Sequence, residues 1–181
     1  MKGIIFNLVQ DAITRDHGED GWDDLVDSAG ISGTYTALGN YPDADLSRIV
    51  TAGADAFGVP VPELVRAVGR DALMGLSVRY PHFFEPHDDV RSFVLTLNEV
   101  IHAEVRKLHA DSDPPDFWFD DPAAQPLTVH YRSRRQLCLL AEGMLEGAGG
   151  YFGQDVTVTQ TSCMADGHDH CTFLLQIEEQ E

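Results

Sequence analysis

The sequence predicts an α+β domain, a helical lobe followed by a lobe of helices packed on a small antiparallel sheet. Three observations carry that prediction. Apolar residues recur at helical spacing through the first half of the chain. Two late runs, Asp155 to Thr161 and Thr172 to Ile177, alternate apolar and polar residues as paired strands do. Between these halves, two prolines in YPHFFEPHDD break the helical pattern and set the boundary between the lobes near Pro81 to Asp89.

The first helix carries Ile4, Ile5, Leu8, Val9, Ala12 and Ile13 and gives way to charged residues and Gly18. Trp22, Leu25, Val26 and Ala29 form a second short stripe. Asp43 is placed to cap a third helix with Leu46, Ile49, Val50, Ala54 and Phe57, closed by Gly58. Pro62 suits the start of the next, which bears Leu64, Val65, Val68, Ala72 and Leu76. A long helix is expected from Val90 to His109, with Val94, Leu97, Ile101, Val105 and Leu108 on one face. A proline-rich connection, DSDPPDFWFDDPAAQP, leads to a strand over Leu127 to Arg132, a helix over Arg134 to Glu146, and the closing hairpin.

The 181 residues fit one domain of two lobes, about 1–85 and 86–181, and 43% apolar residues suffice for a core. The opening MKGIIFNLVQDAITRD is interrupted by Asn7, Gln10 and Asp11. It matches neither a secretory leader nor a membrane span, and the domain is expected in the cytoplasm. A net charge of −18, with only 12 Lys and Arg, speaks against nucleic acid or an anionic membrane as partner. The acidic surface is either a solvated face or a docking face for a basic patch on another protein. Three cysteines in such a chain are free thiols, metal ligands or a redox device.

His102 stands at the edge of the long helix's apolar face. Two readings fit it: a core histidine satisfied by one hydrogen bond, or an axial ligand whose second nitrogen is held by another group. In HYRSRR, Tyr131, Ser133 and Arg135 fall at i, i+2 and i+4. An extended chain there would aim a phenol, a hydroxyl and a guanidinium to one side as a carboxylate clamp. Alternatively, Ser133 caps the next helix and Arg135 is a surface charge.

Together these pieces resemble the haem nitric oxide/oxygen-binding (H-NOX) domain, related to the sensor of soluble guanylate cyclases. The resemblance runs through the whole chain: an MKG start, the helix NEVIHAEV, a Pro-Pro connection, Y-x-S-x-R 29 residues after His102, and a closing hairpin. It implies a non-covalent b-type haem with His102 as proximal iron ligand, and the chain has no C-x-x-C-H attachment motif. Tyr131, Ser133 and Arg135 would grip the propionates, and Pro115 would press on the porphyrin and bend it.

In oxygen-binding members a distal tyrosine donates to bound O2; Leu140 occupies that position here. Val9 and Ala72 stand where polar residues support that tyrosine, and Ile5, Leu76 and Met144 complete an apolar wall. The resemblance therefore implies NO and CO binding without stable O2 binding. NO opposite His102 would weaken the iron–histidine bond, free the long helix and shift the lobes. That is signalling rather than catalysis. No output domain is attached, so a separate effector is expected, by family analogy a histidine kinase or a cyclic-di-GMP enzyme.

The segment CMADGHDHC places Cys163, His168, His170 and Cys171 in the hairpin turn, with Cys138 on the preceding helix within reach. Three thiolates and one imidazole would make a tetrahedral zinc site. Some bacterial H-NOX domains carry zinc here, with a histidine near Gln160, where this sequence departs from the pattern. His168 or His170 would have to substitute, or the group is a reactive thiol cluster. The rival to the whole reading is a haem-free binding module of similar fold that senses through those thiols. An enzyme using His102 with Glu99 or Glu104 is disfavoured, since no nucleophile motif or phosphate loop accompanies them.

Overall fold

The apolar stripes fold as two buried clusters joined by one helix pair. A computed structural model describes residues 1–108 and 112–179. Three helices come first: α1 (Gly3–Ala29), α2 (Asp43–Phe57) and α3 (Val61–Arg79). A short turn, Pro81–Phe83, leads to α4 (Val90–Leu95), a π-helical segment Leu97–Ile101, and α5 (His102–Leu108). Strands β1 (Asp116–Phe119) and β2 (Leu127–Arg132), helix α6 (Cys138–Phe152), and strands β3 (Gln154–Ser162) and β4 (Cys171–Glu179) complete the fold. The sheet order is β1-β2-β4-β3 and every pairing is antiparallel. No described helix is long and apolar enough to cross a membrane.

The two stripes expected in the first 29 residues form one helical run kinked at Gly18, where φ of 76° favours glycine. Asp43 does not cap α2. Pro42 stands at the cap, and the Asp43 carboxylate instead takes the N-terminal ammonium at 2.6 Å. The expected long helix from Val90 to His109 is interrupted, and its far end at His109 lies outside the described residues. Asp89 caps its start through Ser92 N (2.7 Å). Thr96 then bonds the Phe93 carbonyl through its hydroxyl (2.7 Å), and Ile101 N reaches back five residues to Thr96 O (3.2 Å). That wider turn carries Val100 into solvent and delivers His102 at the start of α5.

The helix expected over Arg134 to Glu146 begins later and ends later. Ser133 to Gln136 form a turn in which Gln136 takes a positive φ of 51°, so α6 starts only at Cys138. Gly153, at φ 67°, ends it. Strand β1 replaces part of the expected irregular connection; its four residues pair with Arg132 to Val129 of β2.

One cluster lies between the sheet and α6, with Leu127, Val129, Tyr131, Phe173 and Leu175 against Ala141, Leu145 and Ala148. The other gathers Phe6, Val9, Ile49 and Val68 from the first three helices, together with Leu140 of α6. Helices α3 and α6 approach backbone to backbone. A Cβ at Gly69 would fall 2.5 Å from the Leu140 carbonyl oxygen, and one at Gly143 would overlap the Arg66 carbonyl. Replacing Gly143 with alanine should therefore cost about 1–3 kcal/mol, read as a lower urea midpoint at unchanged slope. The control is Gly150→Ala, where a Cβ meets nothing within 4 Å; it should stabilise by up to about 1 kcal/mol.

Candidate functional site

The π-helical turn sets His102 against the chain entering β1. Its Nδ1 lies 2.9 Å from the Pro115 carbonyl oxygen, which can only accept. Nδ1 therefore carries the proton, and the neutral ring keeps its lone pair on Nε2. Burial pushes the ring's pKa from 6.5 down to about 4, with the Pro115 hydrogen bond opposing in part. At neutral pH the side chain is an uncharged imidazole of fixed tautomer, packed on Phe117 at a centroid distance of 5.7 Å. These are the properties of a metal-ligating nitrogen.

Tyr131 is the penultimate residue of β2, its ring edge-on to Phe117 at 5.4 Å. Its hydroxyl bonds Ser133, and burial lifts the phenol to about 12. The strand ends at Arg132 and the chain turns over Ser133 to Gln136, so Tyr131 and Ser133 meet across a turn rather than along an extended strand. Ser133 Oγ accepts from Arg135 N (3.2 Å). Arg135 Nε donates to Asp43 Oδ1 (3.1 Å) and its Nη1 to Asp113 O (2.8 Å). Among the described residues its Nη2 has no acceptor. The Asp43 carboxyl is held below the usual range, first by the N-terminal ammonium and then by Arg135. No sequence pattern pointed to this bridge, which spans 92 residues.

On the other side, Ile5, Val9, Ala72 and Leu140 line one apolar slot of about 190 Å³. Leu46, Val50, Val61, Val65, Val68 and Leu137 share it; most of them were legible in the sequence only as core stripes. Leu76 and Met144 are not on its wall and pack against the buried clusters behind. Its two hydroxyls, Ser47 and Thr51, belong to solvent-exposed residues, and Thr51 Oγ1 is engaged by the Ser47 carbonyl at 2.9 Å. Tyr35, stacked on Phe6 at 4.1 Å, buries an unpartnered hydroxyl but is not among the lining residues.

The three cysteines do converge. Cys138 and Cys163 sulfurs are 3.6 Å apart, Cys163 and Cys171 are 3.9 Å apart, and all three fall within 4.8 Å. Burial lifts the Cys171 thiol to about 12 and raises Cys138 as well. The expected histidine is not with them. His170 packs on Trp118 (5.0 Å) and His130 (4.9 Å) on the opposite face of the sheet, and His168 is exposed. His170 lies in the bend just before β4, and its ring turns to the Trp118–His130 side rather than toward the Cys171 sulfur. Gln160 comes up to Cys138 instead.

Comparison with known proteins agrees with this geometry. The family described as Haem-NO-binding matches residues 2–160. An H-NOX protein from S. oneidensis in the Fe(II) state, a triple mutant, superposes with a TM-score of 0.92 at 30% identity. That match covers 100% of this chain and 98% of that one. An Fe(II)NO structure of an H-NOX protein from S. oneidensis gives 0.90 at 31% identity, over 99% and 100%. The unliganded Fe(II) H-NOX protein from K. algicida gives 0.86 over 99% and 98%; at 22% identity it speaks for the fold alone. The soluble guanylate cyclase gcy-31 of Caenorhabditis elegans is 24% identical over 149 residues, 75% of this chain. The chain spans about a fifth of the length of that curated relative, 20%. With the fold, the buried neutral histidine and the family match in agreement, this chain belongs to the Haem-NO-binding family, the H-NOX domains.

Proposed function

We propose that the domain holds a b-type haem through His102, binds NO and CO on it while excluding stable O2, and signals to a separate effector. The observation that carries this reading is the Nδ1–Pro115 hydrogen bond at 2.9 Å, which leaves Nε2 of a buried, neutral imidazole free to ligate. His102 would hold ferrous haem, which when bound would supply the iron that takes up a diatomic gas.

The chain's own residues do the rest. Tyr131, Ser133 and Arg135 would hold the propionates, and Arg135 gives the anionic cofactor a cation in an acidic domain. Pro115 would press on the porphyrin while its carbonyl fixes the imidazole, so one residue sets both. Ile5, Val9, Ala72 and Leu140, backed by Leu76 and Met144, offer bound O2 no hydrogen-bond donor; NO and CO do not need one. The S. oneidensis relatives were solved in Fe(II)NO and Fe(II)CO states, which supports the same ligands here.

α5 and the π-helical turn, tied to the entry of β1 by Nδ1 and the Pro115 carbonyl, would carry a displacement of His102 into a shift of the lobes, about 1–85 and 86–181. The receiver of that shift would be a histidine kinase or a cyclic-di-GMP enzyme. The reading places the domain in the cytoplasm, where its cysteines stay reduced. A structural zinc would sit on Cys138, Cys163 and Cys171. The convergence of those thiols also favours a second reading, a haem-free thiol sensor of the same fold.

Three measurements test the proposal. Protein expressed with haem precursor should show a Soret band that moves with NO and with CO, and no stable ferrous-oxy spectrum in air. A persistent oxy spectrum would refute the ligand preference; absence of a Soret band would leave the thiol sensor. His102→Ala should lose haem or lose the proximal-ligand signature, and an unchanged Soret band with unchanged gas binding would sink the assignment. For the haem-free domain, the folded pKa of about 4 lies below the ordinary 6.5. The unfolded chain therefore takes the proton first, and stability should fall as pH drops from about 6.5 to about 4, by up to about 3 kcal/mol. Denaturant titrations of wild type and His102→Ala should differ by that component.

A further inference from the structure

The thiol cluster differs from a closed four-ligand site in one respect. Its three sulfurs are set for a metal: a tetrahedral ion with bonds of about 2.3 Å spaces its ligands about 3.8 Å apart, two of the sulfur separations are 3.6 and 3.9 Å, and the third is within 4.8 Å. Backbone amides already point at the sulfurs, Met164 N to Cys171 Sγ (3.3 Å) and Ala165 N to Cys163 Sγ (3.4 Å), as they do around metal-bound thiolates. Among the described residues, no fourth histidine or carboxylate joins them. The side chain that comes up to Cys138 is Gln160, beside an irregularity in β3 between Gln160 and Ser162. Its Nε2 is buried and, apart from its approach to the Cys138 sulfur, has no hydrogen-bond partner among the described residues.

We infer that Cys138, Cys163 and Cys171 form a three-thiolate zinc site whose fourth position is open to a small exogenous donor, with the Gln160 amide as its hydrogen-bond donor. The inference rests on the zinc occupancy proposed above and is independent of the haem. A carboxamide is a poor zinc ligand beside thiolate or imidazole, whereas zinc with three protein ligands keeps a water in the fourth place. With one N–H of Nε2 directed at Cys138, the other is suited to donate to whatever sits there. Cys163 is only partly buried and Ala165 to Asp169 are exposed, so the position is reachable from solvent. A low-molecular-weight thiol would exchange in without redox chemistry. The zinc–water bond breaks, a zinc–sulfur bond forms, and water and the thiol proton leave.

Zinc-edge X-ray absorption of the haem-loaded full chain tests this. Wild type should show three sulfurs and one light atom, without the outer-shell scattering of imidazole. Added 2-mercaptoethanol should raise the sulfur count from three to four. Gln160→His should close the site: imidazole scattering appears, the thiol response vanishes, and zinc loss to a chelator slows by about tenfold. Imidazole scattering in wild type, or a wild-type spectrum that the thiol leaves unchanged, overturns the open position. A protein that retains no added zinc overturns the occupancy beneath it, and the zinc content of each sample separates that failure from the others. The Soret band, read on the same samples, reports the haem separately.

Discussion

Everything functional in this domain hangs on the close approach of α3 and α6. Glycines at 69, 143 and 147 let the two helices meet without intervening side chains, so backbone faces backbone. That contact joins the cluster of the first three helices to the cluster over the sheet. It also brings Val65, Val68 and Ala72 of one helix opposite Leu140 of the other, which makes the apolar slot. The Arg66–Glu142 pair at 2.7 Å crosses the same seam, with Glu142 buried and one of its oxygens unpartnered. A buried pair of this kind specifies register more than it stabilises, because desolvation offsets its attraction. The packing of small residues is the constraint and the ion pair is its consequence.

Charge is handled locally in a chain of net charge −18. The N-terminal ammonium, Asp43, Arg135 and Asp113 alternate in sign along one line, tying the starts of α1 and α2 to the turn after β2. Against that charged line, the histidine is kept neutral by burial and held by a carbonyl rather than a carboxylate. The distinction matters chemically. A carboxylate on Nδ1 would make the imidazole a stronger, more anionic donor, whereas a carbonyl leaves it a neutral one whose bond to a metal is easier to weaken.

The sequence made some of this legible and hid the rest for physical reasons. Strands β2, β3 and β4 and the helical stripes were visible because they bury one face, and period follows burial. The π-helical turn was not, because Leu97, Ile101 and Val105 keep an apolar face across it while only the hydrogen bonding changes. Strand β1 was hidden by its length: four residues between prolines and aspartates carry no period. His102, Tyr131, Ser133 and Arg135 stood out as letters at a spacing, but the Asp43–Arg135 bridge, 92 residues apart, has no local signature. The histidines at 168 and 170 drew attention as neighbours of Cys171 in sequence, but they belong to the turn before β4, which leaves His168 exposed and sends His170 to Trp118 and His130.

The thiol cluster and the apolar slot share a single turn of helix. Leu137 lines the slot, Cys138 belongs to the thiols, and Leu140 returns to the slot. These residues begin α6, immediately after the positive-φ turn at Gln136 that fixes where the helix starts. A metal on the sulfurs would bind that first turn to the β3–β4 hairpin through Cys163 and Cys171, and so pin one wall of the slot to the sheet. Thiols left free would leave the same wall held only by apolar contacts, which are non-directional and tolerate small displacements. The cysteines need not line the slot to influence it. They act on the placement of Leu137 and Leu140, and through the glycine seam on the helix opposite.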